Sequence, residues 1–190
     1  GLKTKPFVKW VGGKTQLLEE VRKSLPARLS QYNDITYVEP FVGGGAVLFW
    51  ILQEYPNIER AIINDINAEL ICTYRIVKRD VLTLIRELEI IQSEYLPLSA
   101  EARKLYYNNK RIRFNCKEIS DLETAVLFIF LNRTCFNGLY RVNSKGIFNV
   151  PHGKYVNPRI CDRENLLAAS KILQKVDILC GDFAQTEQYA

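Results

Sequence analysis

Two short stretches of this chain carry residue types and spacings suited to holding a nucleoside. In VEPFVGGGAVLF (38–49) an apolar run enters three glycines and leaves as a helix-forming segment. In α/β proteins this arrangement brings backbone close to a nucleoside at the carboxyl edge of the sheet. Asp65 stands twenty positions after Gly45, at the end of the next apolar run, about where an acidic side chain reaches ribose hydroxyls in such folds. The competing reading is a tight glycine turn with Asp65 as a helix cap. The spacing is not GxGxxG, which argues against a dinucleotide. The second stretch, CGDF (180–183), follows another apolar run. There Asp182 is placed to accept from an exocyclic amino group and Phe183 to cover a purine ring, unless the pair is only a turn.

The opening stretch FVKWVGGKTQLL (7–18) contains VGGKT, which invites a phosphate-loop reading. That motif needs a glycine five positions before its Gly-Lys pair, and Val8 occupies the position. The reading fails on spacing.

A third kind of chemistry lies in the middle of the chain. RKLYYNNKRIRFNCK (103–117) holds six basic residues and no acidic one, interleaved with Tyr106, Tyr107 and Phe114. From Leu131 to Cys161 there is again no acidic residue, while Arg133, Arg141, Lys145, Lys154 and Arg159 are basic. Clustered positive charge with aromatic rings suits a surface that follows phosphates; a single basic helix would more simply be a solvated face.

The elements that must position these residues follow from periodicity. Residues 13–25 have helical spacing and stop at Pro26. ITYVEPF, RAIIND and VDILCGDF read as strands, with helices after the first and second. The order predicts a doubly wound α/β sheet. Residues 67–133 read as helical in three pieces, broken near Leu96-Pro97 and near Ser120; 134–160 read as a hairpin with loops; a further helix is expected near 163–175. The division expected is an α/β domain of 1–66 and 163–190 interrupted by an insert of 67–162, and three strands leave the sheet incomplete.

The totals fit an ordinary globular chain, 190 residues with 47% hydrophobic and 25% charged. The net charge is only +5, so it matters where it is clustered. Five cysteines without a CxxC pair and a single histidine, His152, argue against a disulfide framework or a zinc site and suit reduced thiols in the cytosol. No apolar run approaches the roughly 18 residues of a membrane span.

Taken together, KPFVKWVGGK, VEPFVGGGAV, INDIN and LNRTCFNGLYRVNSKGIFNVPHGKY (131–155) resemble, in order and spacing, the Dam-type DNA adenine-N6 methyltransferases. The resemblance covers nearly the whole chain. It implies a class I S-adenosylmethionine-dependent methyltransferase core with a helical insert carrying a DNA-reading hairpin. S-adenosyl-L-methionine is then the cofactor and double-stranded DNA the partner, with GATC as the family's best-known target. The implied setting is a prokaryotic or phage cytoplasm, with no metal. On the cofactor side the resemblance implies Trp10, Lys14, Glu39, Phe41, Gly43, Asp65, Asp182 and Phe183. On the DNA side it implies Lys9, Phe136 as a wedge into the base stack, Leu139 and Pro151 against bases, and Arg141 on a guanine edge. Arg133, Asn137, Lys154 and Tyr155 would make backbone or hairpin-positioning contacts.

The family's Asp-Pro-Pro-Tyr motif, which orients the target amine, should follow CGDF, but the chain reaches Ala190 first. The expectation is therefore a chain truncated before its catalytic residues and inactive in methyl transfer by itself. The alternatives are a catalytically inactive module that binds DNA and S-adenosylmethionine, or a small-molecule methyltransferase of similar core.

Overall fold

The computed structural model describes residues 3–11 and 15–189. Three parallel strands lie in the order β1 (Ile35–Glu39), β2 (Ile58–Asp65), β3 (Val176–Cys180). The register pairs Glu39 with Ile63 and Asp65 with Cys180. Glu39 and Asp65 thus stand at the carboxyl edge of the sheet. Helix α1 (Thr15–Ser24) precedes β1, and α2 (Ala46–Glu54) makes the crossover to β2. The strands predicted from sequence are all present, and the α/β fold matches a class I methyltransferase core.

Between β2 and β3 run α3 (Ala68–Arg79), α4 (Val81–Tyr95), α5 (Ala100–Cys116), α6 (Asp121–Thr134) and α7 (Arg163–Leu173). Four of them, α3 to α6, occupy the stretch where three pieces were expected over 67–133. The additional break falls at Asp80 (φ −144°, ψ 44°). No glycine or proline marks it. The Asp80 N–H donates to Ile76 O and its carbonyl accepts from Leu84 N, so one residue closes α3 and opens α4. The breaks that were legible are capped by side chains: Ser99 accepts from Ala102 N and Ser120 from Glu123 N.

Helix α6 explains the arrangement of the rest. Its run AVLFIFLN (125–132) is buried at every position, and a helix that is apolar all round must be covered on all sides. Helices α3, α4 and α5 pack against it, and α3 also packs on β2 and β3. One buried cluster therefore continues from Ile63 of β2 through Leu70 and Tyr74 of α3 to Phe130 of α6. Among the described residues no helix is long and apolar enough to cross a membrane.

Residues 4–9 have no regular structure, and side-chain amides hold them. Gln53 exchanges two hydrogen bonds with the backbone of Thr4, and Asn165 two with Lys5. Asn132 does the same for Lys9.

Candidate cofactor and DNA-reading site

The glycine loop is shaped by what presses on it. Gly45 has φ +88°, a region side chains rarely adopt, and a Cβ there would lie 2.6 Å from the Tyr74 hydroxyl. A Cβ on Gly44 would lie 2.8 Å from Cβ of Trp10, and one on Gly43 would lie 2.9 Å from the Trp10 indole. Only glycines admit this approach of Trp10 to the backbone. The Tyr74 hydroxyl donates to Gly43 O at 2.8 Å, fixing the loop from the α3 side.

The strand ends are joined to that loop. Asp65 Oδ2 accepts from Gly43 N and Oδ1 from Asn67 N, both at 3.0 Å. Asp65 is thus a cap for the turn after β2 as well as a staple on the glycine loop. A carboxylate offers about four lone-pair sites, so acceptor capacity remains. Asn64, fully buried, donates from Nδ2 to Pro40 O and Gly181 O and so ties the ends of β1 and β3 to β2. Beside them, Glu39 Oε2 accepts from the Tyr37 hydroxyl at 2.8 Å. Burial pushes the Glu39 carboxyl up to about 7, the Tyr37 hydrogen bond opposes that, and the Asp65 charge adds to it.

Large apolar side chains stand exposed on the segments that meet here: Phe41 at 66%, Val11 at 75% and Ile66 at 78%. Val11 and Ile66 escaped the sequence reading; each directly follows a residue that it did single out, Trp10 and Asp65. Asp182 is exposed just after β3, its Oδ1 accepting from Ala184 N. Lys14 lies outside the described residues, as does the Phe183 side chain.

The second part of the site grows from the C-terminal end of α6. A 3-10 turn, Phe136–Gly138, leads into a hairpin closed by the antiparallel bridges Val142–Phe148 and Cys135–His152. Phe136 N donates to Pro151 O. Phe136 is half-exposed, and Asn137 (φ 54°), Arg141, Pro151 and Lys154 are exposed. Leu139 is half-buried against the core. Arg141 donates from Nε to Asn149 Oδ1 at 2.9 Å, across the hairpin. The Lys9 side chain lies against Gly138, where a Cβ would collide with it. Lys9, Phe136, Asn137 and Pro151 are therefore brought together, with Arg141 further along the same hairpin.

Arg133 is turned inward. Its Nη2 donates to Phe7 O at 3.0 Å, and burial lowers its pKa. Tyr155 lays its ring over Gly153, and its carbonyl accepts from Arg103.

The basic helix α5 serves the hairpin more than the sequence suggested. Tyr107 is fully buried and donates to Val150 O, which Arg111 also contacts at 2.9 Å. Asn115 exchanges two hydrogen bonds with the Phe148 backbone. His152 meets the Tyr95 hydroxyl at 2.6 Å. These side chains hold the hairpin from beneath. Lys104 remains exposed on the same helix.

The two parts are linked through the aromatic residues Trp10 and Tyr140, whose rings stack at 5.3 Å with 28° between planes. Nothing in the sequence marked Tyr140 apart from other hairpin residues.

Comparison with known proteins gives the family of the chain. Residues 10–190 match the D12 class N6 adenine-specific DNA methyltransferases. The chain is 50% identical over 190 residues to the type II methyltransferase M.MjaIII of Methanocaldococcus jannaschii, covering 99% of this chain and 65% of that protein. It is 38% identical over 189 residues to a DNA adenine methylase of Haemophilus influenzae, covering 100% and 60%. It is 36% identical over 178 residues to a DNA N-6-adenine-methyltransferase of Escherichia phage P1, covering 93% and 21%. The chain thus spans less than two thirds of each of these relatives. With its matched region and its identity to M.MjaIII, the chain belongs to the D12 class N6 adenine-specific DNA methyltransferase family.

Proposed function

We propose that this chain is the cofactor-binding and sequence-reading part of an enzyme that methylates adenine N6 in duplex DNA, with S-adenosylmethionine as donor and GATC as target. The observation that carries the reading is the placement of two consecutive residues. Trp10 lies on the glycine loop at Gly43 and Gly44, while Lys9 lies on Gly138 of the hairpin turn. One short segment, anchored by Asn132, thus faces both a nucleoside-type site and a basic, acid-free hairpin.

The residues present fit the cofactor chemically. A glycine loop that excludes every Cβ, a strand-end carboxylate with spare acceptor sites and exposed apolar groups beside it suit a nucleoside bearing a cationic amino-acid end. S-adenosylmethionine supplies a methyl group on a cationic sulfonium. Asp65 accepts from ribose hydroxyls, Trp10 and Phe41 give apolar walls, and Glu39 offsets positive charge. Gly43 shapes the loop, and Asp182, with Phe183, serves the base. Lys14 is assigned to the carboxylate end of the cofactor.

On the DNA side, Arg141 reads a guanine edge with the part of its guanidinium fork that Asn149 leaves available. Phe136 wedges at the extruded adenine. Leu139 and Pro151 contact bases, and Lys9, Asn137, Lys154 and Tyr155 hold the duplex backbone. Arg133 acts from inside, positioning the N-terminal segment through Phe7. Such an enzyme works in the cytoplasm of a prokaryote or a phage-infected cell.

The test is transfer of labelled methyl from S-adenosylmethionine to a GATC duplex by the intact enzyme, followed by digestion to nucleosides. Label in N6-methyldeoxyadenosine supports the reading. Label in cytosine, or none with a folded enzyme, refutes it.

A further inference from the structure

Tyr140 sits on the hairpin directly before Arg141, yet it is half-buried and two of its three ring contacts lie off the hairpin. Its ring stacks on Trp10 at 5.3 Å and lies near Phe128 at 5.6 Å and Phe148 at 5.5 Å. Trp10 in turn presses its indole and Cβ against Gly43 and Gly44. A single hairpin side chain therefore touches a wall of the cofactor site, Trp10, which itself lies on the glycine loop.

We propose that Tyr140 is a positioning residue that couples cofactor occupancy to duplex recognition, a role that rests on the function proposed above. Ordering of Trp10 by the cofactor fixes the Tyr140 ring, and with it the backbone that carries Arg141. By linkage, the factor by which cofactor raises duplex affinity must equal the factor by which duplex raises cofactor affinity.

The experiment measures the dissociation constant of a fluorescein-labelled GATC duplex for the intact enzyme, with and without saturating S-adenosylhomocysteine, which binds as the cofactor does but has no methyl to transfer. The reciprocal titration of S-adenosylhomocysteine, with and without duplex, is run alongside. The wild-type coupling factor is expected to be at least about fivefold. Tyr140→Leu, with folding verified by circular dichroism, should reduce it below about twofold, whatever happens to each separate affinity. Tyr140→Phe keeps the ring and should retain most of the coupling. Undiminished coupling in Tyr140→Leu overturns the proposal. So does a wild-type factor of one, which requires no variant to fold. Loss in Tyr140→Phe as complete as in Tyr140→Leu also overturns the stacking account. Failure of the wild type to bind either ligand would instead overturn the proposed function itself.

Discussion

Asn132 and Lys9 bind each other as two strands would. Lys9 N donates to Asn132 Oδ1 and Asn132 Nδ2 donates to Lys9 O, both at 2.8 Å. Gln53, Asn165 and Asn115 form the same reciprocal pair with Thr4, Lys5 and Phe148. A primary amide has a donor and an acceptor side by side, so one side chain satisfies both polar groups of a backbone that has no strand partner.

Asn132→Ala should therefore destabilise the fold by about 2 kcal/mol, since a part-buried donor and acceptor lose their partners together. Asn132→Asp keeps the acceptor but sets a carboxylate against the Lys9 carbonyl, and should be no more stable than the alanine variant at neutral pH. Urea unfolding of the three proteins checks this. Wild-type stability in Asn132→Asp would show that the donor half is dispensable.

These pairs also mark where the sequence stops being informative. The strands, the glycine turn and the helices near 13–25 and 163–175 were legible because apolar periodicity and turn residues are local signals. The break at Asp80 was not, because no glycine or proline marks it and a single residue caps both helices. Asp65 was legible by its place at a strand end, and Glu39 only through the family resemblance. The inward turn of Arg133, the use of Arg103 and Arg111 as hairpin supports and the reach of Tyr140 were not. Each depends on which backbone carbonyl or ring lies opposite after folding, and charge or aromaticity in sequence does not carry that information.

Asp65→Ala should weaken S-adenosylmethionine binding by about 1.5–3 kcal/mol, the range for losing a charge-assisted hydrogen bond. It also releases Gly43 N and Asn67 N, so Asp65→Asn, which keeps an acceptor for the loop, separates the two effects. Calorimetric titration of folded proteins should rank wild type above Asn and Asn above Ala. Equal affinity in all three would remove Asp65 from the cofactor site.

Glu39 makes stability depend on pH. Folding raises its carboxyl from the ordinary 4.5 to about 7, chiefly by burial. The folded state then favours the protonated form. The stabilisation is complete below the unfolded value and is lost as pH rises from about 4.5 through about 7. Glu39→Gln keeps an acceptor for the Tyr37 hydroxyl and cannot ionise. Its melting temperature relative to wild type should be higher at pH 8 than at pH 5. A difference that is the same at both values would mean that Glu39 does not titrate in this window.

Arg141 and Lys154 are both exposed on the acid-free stretch, but they carry opposite expectations. Bidentate arginine-guanine contacts discriminate by about 1–3 kcal/mol per base pair, whereas a phosphate contact is blind to sequence and sets the salt slope. The most direct measurement compares wild type, Arg141→Ala and Lys154→Ala in the intact enzyme, on GATC and on singly substituted duplexes, at two salt concentrations. The account predicts that Arg141→Ala loses discrimination at one guanine position only, while Lys154→Ala weakens every duplex alike and flattens the salt dependence. Equal losses on all duplexes for Arg141→Ala would contradict it, and the hairpin would then hold DNA without reading it.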